Sequence, residues 1–403
     1  MKLPDCTFSA TRFLSVVLPT TRLCNIKGEL NMKMGKAAVM VDFDKPFEVR
    51  NYPLPDKVEQ GAVLVKMVMA GICGTDVHTW LGHTGGKILN FPVILGHENV
   101  GEIVELGGEV KDWNGIPLKK GDRITWPTTI GTYCYQCFNC TVAGIPNKCL
   151  QRKTYGAGIT SEQSPHFLGG WAEYCYLYPR TSLFKLPDGL PAEALVASGC
   201  AAPTMVHASE KADIHVGDTV VVQGSGPVGL FGLIVARENG AGKVIVVGGP
   251  TERLDLARRW GADATIDISE VKDPKDRVQL VKEKSLSKYG ADVVFECSGV
   301  PAAFAEGAQY ARDGGRYVIV GQFMDAGPSE TFHPFWITFK ELTVMGSYSW
   351  EPKHTGRAVA LIDRIKDKYS LKDIVTDRFK LEQTTEAIQA VRDWKTIKAV
   401  LVP

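Results

Sequence analysis

Thr219-Val220-Val221-Val222-Gln223-Gly224-Ser225-Gly226-Pro227-Val228-Gly229, with the apolar stretch 230–239 behind it, decides how the second half of this chain folds. The apolar run reads as a strand and the stretch after the glycines as a helix. Gly224 permits the tight turn between them. Gly226 lets backbone come close to a pyrophosphate, and Gly229 lets the helix pack tightly with its N-terminus facing that anion. A lone glycine triad says little, but this one has its full context. A second strand follows at 243–247, and Leu254, Ala257 and Arg258 recur at helical spacing within 252–260. Further strands are predicted at 264–268, 292–296, 316–320 and 342–345. Helical segments lie between them, most clearly 301–312. Repeating units of this kind build a parallel sheet covered by helices, so a dinucleotide is the expected ligand.

One residue type is missing from that pattern. Gly248-Gly249-Pro250 stands where an Asp or Glu normally binds the adenosine ribose. Without that carboxylate nothing there repels a 2′-phosphate, and Thr251 and Arg253 offer it partners. Glu252 stands between them. NAD and NADP both stay open, the balance tipping slightly to NAD.

The first half carries a different chemistry. From residue 36 to about 118 it reads as short β-rich segments broken by Gly, Pro and Asp. Gly71-Ile72-Cys73-Gly74-Thr75-Asp76-Val77-His78 follows the apolar run 63–70, which puts Cys73 at a strand end. His97 and Glu98, in Leu95-Gly96-His97-Glu98, open the next strand-like run, 100–106. A thiolate and an imidazole delivered from two strand ends suit a borderline-soft ion such as zinc. Alone they are equally well read as a buried free cysteine and a hydrogen-bonded histidine.

Cys134-Tyr135-Gln136-Cys137-Phe138-Asn139-Cys140, with Cys149 close behind, is a stronger signal. Four sulfurs from one loop converge on a tetrahedral ion and leave no position open for a substrate, so zinc here would hold the loop folded. An iron–sulfur cluster is the second reading. Gly131, Gly144, Pro146 and Lys148 mark an exposed loop, where free thiols are a liability. Tyr135 and Phe138 are expected to pack the loop. Residues 191–198 look like the first turns of a helix, with Cys200 just beyond. Read singly, Cys200 is a small buried hydrophobe, as are Cys175 and Cys297.

Composition narrows the class. A chain of 403 residues is more than one ordinary core serves, and its 46 basic and 45 acidic residues leave a net charge of +1. That balance gives no footing for a nucleic-acid or anionic membrane surface. The apolar runs fall short of the roughly 20 residues a membrane-spanning helix needs. Of ten cysteines, four fall within sixteen residues, a metal-binding pattern of a reducing compartment rather than a disulfide scaffold. The cytoplasm is the expected location. Residues 1–30 admit three readings: a loose tail, a start assigned too early given Met32 and Met34, or an organelle-targeting segment. The first two are preferred, because the apolar patch 16–18 is too weak for a secretory signal.

Taken in order, these motifs and Val294-Phe295-Glu296-Cys297-Ser298-Gly299 make residues 36–403 resemble a zinc-containing alcohol dehydrogenase of the medium-chain dehydrogenase/reductase superfamily. The resemblance implies a flexible extension at 1–33 and a GroES-like catalytic domain at 34–200. It further implies an inserted Rossmann cofactor domain at 201–345 and a segment, 346–403, returning to the catalytic domain. One catalytic and one structural zinc per subunit are implied. The catalytic ion would be held by Cys73, His97 and Cys200, with Glu98 beside it as a transient ligand. Thr75 takes the first proton-relay position, followed by His78 through the cofactor ribose. Asp76 orients His97. Lys398 is expected to reach the cofactor pyrophosphate, alongside Gly224–Gly229, Gly248 and Arg253.

The implied chemistry is hydride transfer from a zinc-polarised alcohol to the nicotinamide. The cysteine-ligated form, with Trp80 near Asp76, favours a primary or secondary alcohol with an apolar or cyclic body. A polyol or amino alcohol is the alternative, and a non-catalytic dinucleotide-binding or structural protein on this fold is the rival of another class. Retention of every zinc ligand, Thr75 and His78 argues against that rival. A homodimer or homotetramer is implied by likeness alone. The chain departs from the family in one respect. Its third and fourth loop cysteines are separated by eight residues rather than seven, so a bulge near Gly144 is expected.

Overall fold

The computed structural model describes residues 33–83, 89–325, 327–329 and 332–403. The readings of residues 1–30 lie outside them. Thr219–Gln223 is a strand buried at every position and stands inside a six-stranded sheet. Across that sheet the order is Ala264–Asp267, Lys243–Gly248, Thr219–Gln223, Ala291–Glu296, Ala311–Ile319, Thr343–Gly346. Every pairing is parallel, so each connection must cross over a face. The helices Pro227–Glu238, Thr251–Arg259, Pro274–Lys284 and Pro301–Tyr310 lie on those connections.

Burial follows the two-residue strand period. Val220 and Val222 join Leu230 and Ile234 in one core, while Val221 joins Ile245, Val294 and Tyr317 in another. Strand order reverses beside Thr219–Gln223, and a crevice opens there at the carboxyl ends of the strands. Gly224, with φ of +112°, turns the chain at that crevice.

The second sheet has seven strands. Val63–Gly71 pairs with Glu98–Leu106 and with Tyr174–Leu177, and the far edge is Arg123–Thr125 with Phe184–Lys185. The last strands of the chain, Asp377–Phe379 and Ala399–Leu401, complete it, with Val400 opposite Gly71. A β-rich GroES-like part and a Rossmann-type part are thus joined by a C-terminal return, which is the expected fold class. Among the described residues no helix is long and apolar enough to cross a membrane.

Local differences from the sequence reading have identifiable causes. The chain does not simply end a strand at Cys73, because that residue caps a short helix, Gly74–Trp80. Residues 191–198 do not begin one long helix. They form a single turn, Ala192–Leu195, then a 3-10 turn, Val196–Gly199, before Ala201–Ala212 starts afresh. The strand expected at 316 begins at Ala311, which pairs with Ala291 before a register shift around Gly314 and Gly315.

Candidate active site

Gly71 and Glu98 face each other across adjacent strands, so Cys73, His97 and Glu98 emerge at one end of the sheet. Cys200 arrives from the 3-10 turn. A Cβ at Gly199 would stand 2.8 Å from the Glu98 Cα, so only glycine lets that turn lie against the strand. The result is a cluster in which the donor atoms of Cys73, His97, Glu98 and Cys200 all lie within 4.8 Å of one another.

Asp76 ties the cluster together. One carboxylate oxygen accepts the Cys73 N–H at 2.8 Å, closing the first helical turn, and the other faces His97 Nδ1 at 3.2 Å. With Nδ1 committed to Asp76, the imidazole has Nε2 to offer. A hydrogen bond from the Cys200 thiol, with help from His97 and Lys398, holds the Cys73 thiol well below its ordinary pKa despite burial. Burial disfavours an imidazolium at His97, yet Asp76 and Cys73 outweigh it and raise its pKa. Burial pushes Glu98 up to about 7, against the pull of Lys398. Two sulfurs, an imidazole and a carboxylate, buried except for the half-buried Cys73 and polarised in this way, are a donor set that fits zinc.

Lys398 is not where the resemblance put it. It precedes the strand Ala399–Leu401, which runs beside the end of Val63–Gly71, and its side chain therefore enters the sheet interior. Buried there, its ammonium pairs with Glu98 and donates to the Ile72 carbonyl at 3.1 Å. It does not line the cavity beside the glycine turn. Basic residues that do are Arg253, beside the glycine turn, and Lys275, Arg277 and Lys282.

The four loop cysteines also converge. Cys137 and Cys140 sulfurs are 3.5 Å apart, Cys149 and Cys134 3.5 Å, and Cys134 and Cys140 4.0 Å. Sulfurs placed tetrahedrally about 2.3 Å from an ion stand about 3.8 Å apart, so this set fits zinc as well. The added residue is absorbed between the turn Phe138–Thr141 and the 3-10 turn Pro146–Lys148, where Gly144 takes φ of +66°. Tyr135 and Phe138 do not pack the loop as expected, being 55% and 64% exposed.

Two cavities meet at the glycine turn. One of about 1030 Å³ runs past Gly224, Ser225, Gly248 and Arg253. The other, of about 560 Å³, has Cys73, His97 and Cys200 at its base and Thr75 and His78 on its wall. Gly226, Cys297 and Ser298 border both.

This arrangement has counterparts among known proteins. The family described as zinc-binding dehydrogenase matches residues 227–364, and the alcohol dehydrogenase GroES-like domain matches residues 59–188. The chain is 36% identical over 372 residues to 5-exo-hydroxycamphor dehydrogenase of Pseudomonas putida, covering 92% of this chain and 99% of that one. It is 37% identical over 353 residues to sorbitol dehydrogenase of Halalkalibacterium halodurans, covering 87% and 93%. An alcohol dehydrogenase structure from Thermotoga maritima superposes with a TM-score of 0.85 at 32% identity, covering 92% and 100%. This chain belongs to the zinc-containing alcohol dehydrogenase family. It is a zinc-dependent, NAD(P)-linked oxidoreductase acting on alcohol and carbonyl substrates.

A Cβ on Gly229 would stand 1.8 Å from the Gly224 carbonyl oxygen, while Gly226 faces open space with Arg253 Nη1 at 4.0 Å. The Ser225 hydroxyl is occupied, bridging to the Gly249 carbonyl and N–H at 2.9 and 3.0 Å. Pro227 and Val228 border the smaller cavity. Trp80 is core, its indole N–H donating to the Lys45 carbonyl at 2.8 Å, and it does not line the alcohol dehydrogenase cavity.

The sequence reading missed several groups. His83 holds His78 at 2.9 Å between their Nδ1 atoms, and burial together with that neighbour lowers the His78 pKa. Asp267 ends the third strand of the Rossmann part and bonds Thr251 and Ser269 close to Gly249. Leu89, Phe323, Tyr348 and Trp350 form apolar cavity wall, with Arg152 and Thr128 among its polar members. Those six come from five separate segments, and no local pattern marks any of them.

Proposed function

We propose that this enzyme interconverts a secondary alcohol with a cyclic or otherwise apolar body and its ketone, using NAD. The observation that carries this reading is the shared border of the two cavities. The cysteine–histidine cluster lies at the base of the smaller one, and Gly226, Cys297 and Ser298 join it to the larger, dinucleotide-sized one. When bound, zinc supplies a Lewis acid at the substrate oxygen and the nicotinamide accepts hydride.

The chain's own residues supply the rest. Cys73, His97 and Cys200 serve as the ligands at this centre, and Asp76 keeps the His97 ring turned so that Nε2 is available. Glu98, paired with Lys398, stands by as a further donor. The Thr75 hydroxyl takes the alcohol proton, and His78, neutral near pH 7, receives it and shares it with the exposed His83. Cys134, Cys137, Cys140 and Cys149 form a closed structural centre. Gly224 to Gly229 receive the pyrophosphate at the N-terminus of Pro227–Glu238, with Arg253 beside them. We place the catalytic part at 34–200 and 346–403 and the cofactor part at 201–345.

The preference for NAD rests on charge at the ribose end. Arg253 is turned to the glycine turn and donates to the Thr396 carbonyl at 2.7 Å, while Asp267 puts a carboxylate near Gly249 that a 2′-phosphate would meet. The alcohol class rests on Leu89, Phe323, Tyr348 and Trp350, and the similarity to 5-exo-hydroxycamphor dehydrogenase accords with it. Steady-state kcat/KM for cyclic, aliphatic and polyhydroxy alcohols, each with NAD and with NADP, tests both. Polyols preferred over cyclic alcohols by tenfold would overturn the substrate class, and NADP preferred over NAD would overturn the cofactor.

A further inference from the structure

The four-cysteine lobe is fastened to a wall of the smaller cavity. The segment 347–350 leaves the six-stranded sheet after Thr343–Gly346 and contributes Ser347, Tyr348, Ser349 and Trp350 to that wall. Beyond the Ser347 N–H, which donates to the Ile319 carbonyl at 2.8 Å, side chains from elsewhere hold it. The buried Asn147 donates from Nδ2 to the Tyr348 carbonyl at 2.5 Å, and the Tyr133 hydroxyl donates to the Trp350 carbonyl at 3.3 Å. Ser349, between them, takes φ of +55°, and its carbonyl is held from outside the lobe by His207 Nδ1 at 2.6 Å.

The Tyr348 ring is held on both faces. Lys148 Nζ stands 3.3 Å from its centroid, and Phe323 stacks on it at 4.6 Å with 11° between the planes. An ammonium at that height and a parallel ring cannot occupy one face without interpenetrating, so Tyr348 lies between them. Arg152, itself on the cavity wall, donates to the Asn147 carbonyl at 2.9 Å and to the Thr128 hydroxyl at 3.2 Å. The paths from the cysteines to the substrate space therefore run through Asn147 and Lys148, just before Cys149, and through Tyr133, just before Cys134.

We propose that Lys148 and Asn147 are positioning residues for the reaction: they set where the Tyr348 ring stands and thereby the size of alcohol the cavity accepts. This rests on the reading of that cavity as the alcohol site. Neither residue touches the reacting atoms. Both act through the ring that Phe323 backs from the other side.

Lys148 is the residue to change, because it is exposed and its loss leaves no buried polar group unpaired. In metal-replete Lys148→Ala, freed of the cation over its ring, Tyr348 becomes mobile. KM for a bulky bicyclic secondary alcohol should rise about 2- to 5-fold, the range expected for an exposed cation–π contact. KM for propan-2-ol, kcat, zinc content and the NAD dissociation constant should stay within about twofold. Calorimetric binding of the matching bicyclic ketone to the enzyme–NAD complex should weaken by the same factor, and Lys148→Arg should restore both. Equal changes for the two alcohols, no change for either, or no rescue by arginine would overturn the positioning role while leaving the cavity reading intact. Failure of the cavity reading looks different: the unaltered enzyme would neither bind the ketone nor discriminate by size, and both proposals would fall.

Discussion

Replacing Asp76 by Asn keeps the shape of the side chain and removes its charge, and the geometry dictates a dilemma. In the native arrangement both carboxylate oxygens accept, one from the Cys73 N–H at 2.8 Å and the other from His97 Nδ1 at 3.2 Å. An amide has only one accepting oxygen. If that oxygen stays on the Cys73 N–H, the NH2 group faces His97 Nδ1 and donates to it, so the ring proton moves to Nε2 and the nitrogen needed for zinc is blocked. If the amide turns over, His97 keeps its tautomer but the Cys73 N–H meets an NH2 group. A buried donor left unpaired in this way costs about 1–3 kcal/mol.

Either branch weakens metal binding by about 1.4–2.8 kcal/mol, the 10- to 100-fold typical of lost outer partners of a metal ligand. Competition against a chromophoric zinc chelator should show one of two sites weakened by that factor, with the dinucleotide dissociation constant unchanged. Turnover should fall in parallel and recover in part when zinc is added. If both zinc sites of Asp76→Asn kept native affinity and turnover stayed within twofold of native, the role given to Asp76 would be wrong.

Cys73→Ala should stay folded, keep NAD binding and one zinc, and lose alcohol oxidation almost completely. Cys137→Ala should instead lose the other zinc and melt at lower temperature, because metal binding there is part of the folding free energy of the lobe; native zinc content with unchanged melting would contradict this. Gly229→Ala places a methyl 1.8 Å from the Gly224 carbonyl oxygen, so the turn must open, with about 1–3 kcal/mol of stability lost and NAD bound about tenfold more weakly by fluorescence titration. His354 is buried, stacks on His207, and accepts the Glu351 N–H on Nδ1; burial, with His207, lowers its pKa to about 4. Since the unfolded chain binds that proton near pH 6.5, the contribution of His354 is complete above 6.5 and declines as pH falls toward 4. Denaturant midpoints should fall through that window, and less steeply in His354→Gln.

Much of this protein was legible in its sequence because the signals were local. The run from Thr219 to Gly229 holds strand, turn and helix in eleven residues, with Gly229 required by the Gly224 carbonyl of the same unit and Gly224 by the neighbouring backbone at Cys297 and Ser298. The loop cysteines are spaced for one ion by chain geometry alone, so their convergence needed no distant partner. Cys73 and His97 stood at strand ends, but it was the family resemblance that joined them to Cys200, more than a hundred residues away.

What only the tertiary structure decided depends on contacts between segments far apart in the chain. Lys398 reads as a basic residue near the C-terminus, yet the pairing of Ala399–Leu401 with Val63–Gly71 turns it into the sheet interior against Glu98. Trp80 reads as a candidate for the substrate wall, but its helix faces the core and gives its N–H to Lys45. Asp267 carries no motif and matters only because parallel pairing sets the end of its strand beside Gly248. The cavity wall itself, with Leu89, Phe323 and Tyr348, is an accident of no single stretch. A side chain's periodicity tells which face it occupies, and only the packing of that face against another part of the chain tells what it meets.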